Sequence, residues 1–398
     1  MTAHTVSRVL FVGGGTGGHI YPALTVAERL KERHPDCQLL YVGTREGLEA
    51  DLVPRRGLPF KTIAAQGLFG KSPVAVARGL VKAFGGSLQA FSLVRGFRPD
   101  VVVGTGGYVS GPVMMAAAML GRPTLLMEAN VFPGMTVRAL ARWMSVVTVP
   151  YAAAERYFSR AVRVEVVNNP VRQEILTATR EAGAAAFGLL PDKPTLLVFG
   201  GSRGALTLNK AGLKLVRLFA AHPEWQLIWG TGKTYFSKMT SDLADMGFSE
   251  LPANIRVEPF LYRVENALAA ADLIVCRAGG STLAEVSARG LPAIIVPSPV
   301  ATHRHQDHNA EAVAKGGGGL VVPDAYAGGD RIGREVTALL GAPERLAEMA
   351  VRSRALGQPD AADRLVDLIV SLTSGARPTT RRPADHRRAY PRKLGGSK

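Results

Sequence analysis

Four glycine-rich loops, each behind a short apolar run, carry the residues of this chain that could do chemistry. The first is Gly13-Gly14-Gly15-Thr16-Gly17-Gly18-His19, behind Val9-Leu10-Phe11-Val12. The second is Gly104-Thr105-Gly106-Gly107-Tyr108-Val109-Ser110-Gly111-Pro112. The third is Gly200-Gly201-Ser202-Arg203-Gly204-Ala205, and the fourth runs from Arg277 through Gly279, Gly280, Ser281 and Thr282 to Glu285. Glycine lets the backbone approach a ligand closely. A helix start behind such a loop offers unpaired N–H groups and a positive dipole end to phosphate. Two such units far apart in the sequence predict two similar domains facing one phosphorylated ligand, an arrangement suited to a sugar nucleotide.

His19 closes the first loop. An imidazole with an ordinary pKa near ~6.5 suits a general base at neutral pH; the alternative is a structural histidine. Glu285 follows the fourth loop by about a turn, where its carboxylate could accept two hydrogen bonds from ribose hydroxyls. Thr282 and Glu285 also have capping-box spacing, which would make the glutamate a helix cap. Thr105, Tyr108 and Ser110 give the second loop enough polarity to favour ligand contact over a bare packing turn.

Other chemistries fit less well. Gly13-x-Gly15-x-x-Gly18 matches the dinucleotide fingerprint, but the second strand ends Tyr41-Val42-Gly43-Thr44-Arg45 with no acid at its tip, and Glu46 is expected to open the next helix. A ribose-binding acid would be wanted at that tip. His303, His305 and His308 have metal-like spacing but no accompanying carboxylates. No Asp-x-Asp pair occurs. Neither a metal nor a cofactor is expected.

The elements that must hold these loops read as alternating strands and helices. Strands are predicted at 9–12, 39–42, 101–103, 124–127 and 146–149, with helices at 22–33 and 133–143 among those between. Asn168-Asn169-Pro170-Val171-Arg172 reads as a hinge, because proline biases its predecessor away from helix. A second series starts at Thr195, with strands near 226–229, 255–257, 273–276, 293–296 and 320–322. Right-handed crossovers make both sheets parallel, with ligands beyond the carboxyl ends of the strands. Helices at 343–356 and 360–372 close the fold. The expected division is 1–168, 169–358, a final helix in 359–374, and a tail at 375–398.

The 398 residues are 47% hydrophobic, ample for two cores, and include only Cys37 and Cys276. No disulfide framework, secretory signal or spanning helix is expected, and a reducing cytoplasmic setting is. The net charge is +16. Residues 375–398 hold eight Lys or Arg and one Asp, so +7 sits there and +9 in the body. Such an excess suits a polyanionic partner or simply solubility. With no nucleic-acid module visible, no nucleic acid is expected, and an anionic membrane surface is the candidate partner.

Together the four loops, with Asn169-Pro170-Val171-Arg172, His305-Gln306 and Asn309-Ala310, resemble the MurG family, bacterial transferases that add N-acetylglucosamine to lipid I to make lipid II. The resemblance runs from Arg8 to Leu372. It implies a GT-B fold of the α/β class: two Rossmann-like domains with parallel sheets, a cleft between them, and a last helix crossing back to the first domain. UDP-GlcNAc would sit mostly on the second domain. Glu285 would hold its ribose, and Leu261 would meet uracil through its backbone. Ser202 and the helix start Gly279, Gly280, Ser281 and Thr282 would face the diphosphate. Gln306, Asn130, Thr16 and Arg172 would place the sugar and the closed cleft, beside Gly17 and Gly18. Gly106, Gly107, Tyr108 and Ser110 would face the acceptor, undecaprenyl-pyrophosphoryl-MurNAc-peptide. His19 is the first choice of base and Glu128 the second. The family often has His-Glu-Gln-Asn where this chain has Met127-Glu128-Ala129-Asn130, glutamine at Arg203, and alanine at Gly280. A lipid acceptor implies peripheral attachment at the cytoplasmic face of the cell membrane. Leu80 and Phe84, four apart and flanked by Lys71, Arg78 and Lys82, would supply an apolar face rimmed by cations; ordinary core packing is the alternative. Another GT-B protein, such as a UDP-GlcNAc 2-epimerase or glycolipid synthase, or a silent nucleotide-sugar sensor, are the competing readings.

Overall fold

The computed structural model describes residues 6–65, 73–201, 203–328 and 330–373, and side chains are described outside 73–84. Ser202, Lys71 and the 375–398 segment lie outside the described residues, as do the side chains of Arg78, Leu80, Lys82 and Phe84.

Among the described residues, thirteen strands form two parallel sheets. The first contains β1 (Arg8–Val12), β2 (Gln38–Gly43), β3 (Phe60–Thr62), β4 (Val101–Gly104), β5 (Thr124–Met127), β6 (Val146–Val149) and β7 (Val164–Val166), in the order β3-β2-β1-β4-β5-β6-β7. The second contains β8 (Thr195–Phe199), β9 (Gln226–Gly230), β10 (Ile255–Glu258), β11 (Leu273–Cys276), β12 (Ala293–Ile295) and β13 (Gly319–Val321), in the order β10-β9-β8-β11-β12-β13. Both are doubly wound sheets whose strand order reverses beside the first strand of each, β1 and β8.

Near-continuous apolar strands suit sheets covered on both faces. Along β1 the side chains alternate: Val9 and Phe11 join one core, Leu10 and Val12 the other. The first face is covered by the helix Gly17–Arg33 and the last helix, Ala361–Thr373, whose Leu365, Val366 and Ile369 are buried there. The last helix is also tied by charge. Arg29 grips Asp363 through Nε at 2.8 Å and Nη2 at 3.0 Å, and Arg33 reaches Asp367 at 2.7 Å. The second sheet is likewise sandwiched between two buried clusters.

Three local expectations need correction. The first helix begins at Gly17, not Pro22, so the proline is its sixth residue. There it removes an N–H that would reach back to the Gly18 carbonyl. The helix expected from Glu46 starts at Glu49. The helix expected over 133–143 is α-helical only at Met135–Leu140 and tightens to 3₁₀ at Ala141–Trp143. The edge strands β3 and β7 went unforeseen because they are three residues long and half-buried or exposed, with little apolar signal.

Candidate functional site

All four glycine loops leave the carboxyl ends of the strands at the two reversal points, β1/β4 and β8/β11. That is where open α/β sheets bind ligands.

In the first domain the loops after β1 and β4 interlock around His19. Thr105 donates its hydroxyl to the His19 carbonyl at 2.6 Å. Gly106 and Gly107 have φ of +96° and +79°, and a Cβ on Gly107 would lie 2.4 Å from the Gly14 carbonyl oxygen. Only glycine fits both the conformation and the approach. A Cβ on Gly106 would lie 3.2 Å from His19 Nε2, so the imidazole lies across this loop. His19 Nδ1 sits 3.2 Å from the Gly14 carbonyl and 3.4 Å from Thr16 Oγ1. A carbonyl only accepts, so Nδ1 carries the proton and Nε2 presents its lone pair. Burial pulls the imidazole pKa below 6.5, opposed by the Gly14 hydrogen bond. Nearby His305 lowers it and Glu49 raises it. Thr16, Gly17 and Gly18 are exposed or half-buried at the helix start. Tyr108 is partly exposed, with its ring against Gly15. Ser110 is buried, its hydroxyl donating to the Gly106 carbonyl at 2.5 Å, so it braces the loop from inside.

In the second domain the helix Gly280–Arg289 opens directly behind β11, capped by Gly279. Thr282 is its third residue and Glu285 its sixth, so the capping-box alternative fails: neither stands at a cap position. The Ser281 hydroxyl is buried with no hydrogen-bond partner among the described residues. The loops after β8 and β9 meet glycine to glycine, a Cβ on Gly204 falling 2.1 Å from the Thr231 carbonyl. Leu261 follows β10, buried, with its side chain against Gly230. Beside it Lys233 lies 5.3 Å from the Phe260 ring and 5.1 Å from Tyr262. Gln306 turns its amide oxygen to the Ser298 N–H at 2.9 Å. His303 and Arg304 just before it have φ of +51° and +53°. Consecutive non-glycine residues in that region are costly and tend to mark functional loops.

The two domains meet across these loops. Arg172, at the hinge, places Nη2 3.4 Å from Glu285 and its guanidinium 5.5 Å from the Tyr21 ring of the first domain. Burial pushes the Glu285 carboxyl up, and the Arg172 guanidinium holds it down. Asn309 is the tightest bridge. Its Oδ1 accepts from the Val131 N–H at 2.8 Å, and its Nδ2 donates to Asn130 Oδ1 and the Ala278 carbonyl, each at 3.0 Å. Asn130 in turn donates to Glu128 through its backbone N–H at 2.8 Å and Nδ2 at 3.1 Å. Glu128 also accepts from the Gly134 N–H at 2.7 Å, so both carboxylate oxygens are engaged. Burial raises its pKa against these donors. Gly280 touches the same loop: a Cβ there would lie 2.1 Å from the Ala129 carbonyl. His308 stacks on Phe132, and His305 Nδ1 bonds the Thr302 carbonyl at 2.8 Å. Among the described residues, no group of three His, Cys, Asp or Glu side chains is placed to hold a metal ion.

Sequence reasoning missed three residues here. Lys233 reads as an ordinary surface lysine until the fold sets it on two aromatic rings. Arg277 reads as the first residue of a glycine loop, yet it clamps the Val296 and Pro297 carbonyls and Asp324. Glu49 is fully buried and reaches back to the first glycine loop, accepting from the Gly15 N–H at 3.2 Å and from Thr44 N and Oγ1 at 3.0 and 2.8 Å. No pattern in the sequence separates it from the solvated acids of a helix start.

Residues 9–149 match the glycosyltransferase family 28 N-terminal domain, and residues 195–365 the C-terminal domain of that family. A UDP-N-acetylglucosamine–N-acetylmuramyl-(pentapeptide) pyrophosphoryl-undecaprenol N-acetylglucosamine transferase of Desulforudis audaxviator is 45% identical over 367 residues, covering 92% of this chain and 98% of that one. The protein of the same name from Moorella thermoacetica is 44% identical over 364 residues, covering 91% and 98%. The crystal structure of Acinetobacter baumannii MurG is 30% identical, with a TM-score of 0.71 over 91% of this chain and 99% of that chain. A putative UDP-N-acetylglucosamine 2-epimerase from Listeria monocytogenes shares the fold at 14% identity, with a TM-score of 0.64 over 94% and 98%.

Proposed function

This chain belongs to the MurG family of hexosyltransferases within glycosyltransferase family 28 and transfers GlcNAc from UDP-GlcNAc to lipid I, giving lipid II; we propose that the cleft does so by a single inverting displacement with His19 as base. An α-linked donor and a β(1→4) product require one in-line attack. The muramyl 4-oxygen forms the new bond to C1 as the bond from C1 to the UDP oxygen breaks. The hydroxyl proton passes to His19 Nε2, and UDP leaves with the electron pair.

The His19 geometry carries this reading: Nδ1 is committed to the Gly14 carbonyl, and Nε2 has no partner among the described residues. Glu128, the other candidate, has both oxygens occupied by N–H donors, which supports a role in holding Asn130 and the loop. Leaving-group charge would be met by the N–H groups of the Gly280–Arg289 helix and by the Ser281 hydroxyl, which has no partner among the described residues. Preorganised donors of this kind stabilise developing negative charge without a metal. Glu285 would take the ribose, exchanging part of its contact with Arg172, and Leu261 would present its backbone to uracil. Ser202 is assigned to the diphosphate on sequence grounds alone.

The acceptor is a lipid, so the enzyme works at a membrane. Among the described residues no helix is long and apolar enough to cross one. We propose peripheral attachment to the anionic cytoplasmic surface, driven by the net charge of +16 and by the segment holding Leu80 and Phe84.

Replacing His19 with alanine tests the mechanism. The kcat should fall about 10²–10⁴-fold, the usual contribution of a general base, while UDP-GlcNAc affinity changes little. Activity within about threefold of the parent would assign the base elsewhere.

A further inference from the structure

One peptide unit in the first glycine loop is held at both ends. Its C=O, from Gly14, accepts the proton of His19 Nδ1 at 3.2 Å. Its N–H, from Gly15, donates to Glu49 Oε2 at 3.2 Å. Glu49 is fully buried, and no lysine or arginine pairs with it among the described residues. Its other oxygen is fixed by Thr44, and glycine at position 47 leaves it room, since a Cβ there would lie 2.2 Å from the carboxylate.

We infer that Glu49 is a positioning residue for His19, acting through the Gly14–Gly15 peptide. A carboxylate hydrogen-bonded to a peptide N–H draws positive charge toward that end and makes the carbonyl at the other end a stronger acceptor. The stronger acceptor locks the Nδ1–H tautomer and the ring orientation, and it stabilises the imidazolium formed when Nε2 takes the proton. Histidine ligands and bases are commonly oriented by a carboxylate bonded to the other ring nitrogen. Here a peptide is interposed, and the carboxylate stays dry and away from the acceptor. The other groups facing this unit are His305, which opposes protonation of His19, and Tyr41. The Tyr41 hydroxyl donates to the Gly13 carbonyl at 3.0 Å, anchoring the preceding peptide.

This inference rests on His19 as base, but the ring itself can be read independently of turnover. The test uses the full chain with ¹⁵N-labelled histidine, as parent and as Glu49→Gln. In the parent, His19 should show the Nδ1–H tautomer when neutral. In Glu49→Gln its pKa should fall by ~0.5 or more, because an anion that favours the imidazolium has been removed. The kcat should drop roughly tenfold or more, as for other supporting carboxylates. The acid limb of the kcat profile should move to lower pH, with the KM for UDP-GlcNAc within about twofold. Glu49→Asp, which keeps the charge, should recover part of both changes. An Nε2–H tautomer in the parent would overturn the inference even if Glu49→Gln failed to fold. So would a folded Glu49→Gln whose His19 pKa and acid limb match the parent, whatever its thermal stability. A shifted ring pKa with unaffected His19→Ala turnover would instead keep the Glu49–His19 coupling and remove His19 as base.

Discussion

His19 shows how much of this site depends on which ring nitrogen is occupied. With Nδ1 on the Gly14 carbonyl, the nitrogen proposed to take the proton, Nε2, is oriented by backbone rather than by another side chain. Burial lowers the pKa from 6.5, so the neutral imidazole that the proposed base role requires predominates at pH 7 and above. The sign is therefore definite: kcat should be flat near neutrality and fall only as pH drops through a value under about 6.5. A pH–rate profile on a water-soluble acceptor checks this, and a limb centred well above neutrality would contradict it. Glu285 carries a second prediction at the same scale. Glu285→Ala should mainly raise the KM for UDP-GlcNAc, by about 2–4 kcal/mol for two charge-assisted bonds to the ribose. Titration calorimetry with UDP should show the same loss. Unchanged UDP affinity would assign Glu285 to the hinge contact with Arg172 alone.

At the scale of elements, the last helix is the clearest case of stability serving geometry. Its apolar face completes the first domain's core, and Asp363 bonds Arg29 and Arg33. These guanidinium groups hold the Asp363 carboxyl below its usual range, the Arg29 hydrogen bond contributing most. A depressed carboxylate pKa gives stability present above the unfolded value, ~3.9, and lost as pH falls toward the folded one. Asp363→Asn should cost about 1 kcal/mol at neutral pH, discounted because the pair is partly exposed, and much less near pH 3, about one unit under that unfolded value. Denaturant melts at the two pH values measure this; an equal cost at both would show that shape, not charge, holds the helix.

The loops were legible because glycine runs behind apolar strands have few other uses, and the strands because buried parallel strands are apolar end to end. What stayed hidden depends on contacts between distant residues. Pro22 pointed to a helix start because proline is most favourable there, and the glycines before it concealed a whole turn. Glu49 and Asn309 act by reaching elements 34 and 178 residues away. No local periodicity records such a reach. The Thr282–Glu285 spacing fitted a cap, and only the helix start at Gly280 excluded it.

For the whole molecule, the interdomain bonds of Asn309 and Asn169 and the Arg172 guanidinium over the Tyr21 ring bring the two domains together. The proposed attachment to the membrane is a separate matter of charge and apolar surface. Removing residues 375–398 takes away +7 and should weaken binding to anionic vesicles chiefly at low salt, where screening is least. Changing Leu80 and Phe84 to serine should weaken it at high salt as well, because apolar insertion is little screened. Co-sedimentation across a salt series separates the two, and a double-serine variant that binds like the parent but unfolds more easily would return those side chains to the core.

The cleft is proposed to join GlcNAc to a muramyl 4-hydroxyl with inversion and without a metal. The most direct measurement supplies labelled UDP-GlcNAc and a short-chain lipid I analogue to the full chain in excess chelator. One UDP should be released per β(1→4)-linked disaccharide formed, with little UDP released when the acceptor is left out. Turnover abolished by chelator and restored by magnesium, an α-linked product, or conversion of UDP-GlcNAc to its 2-epimer without acceptor would contradict the account.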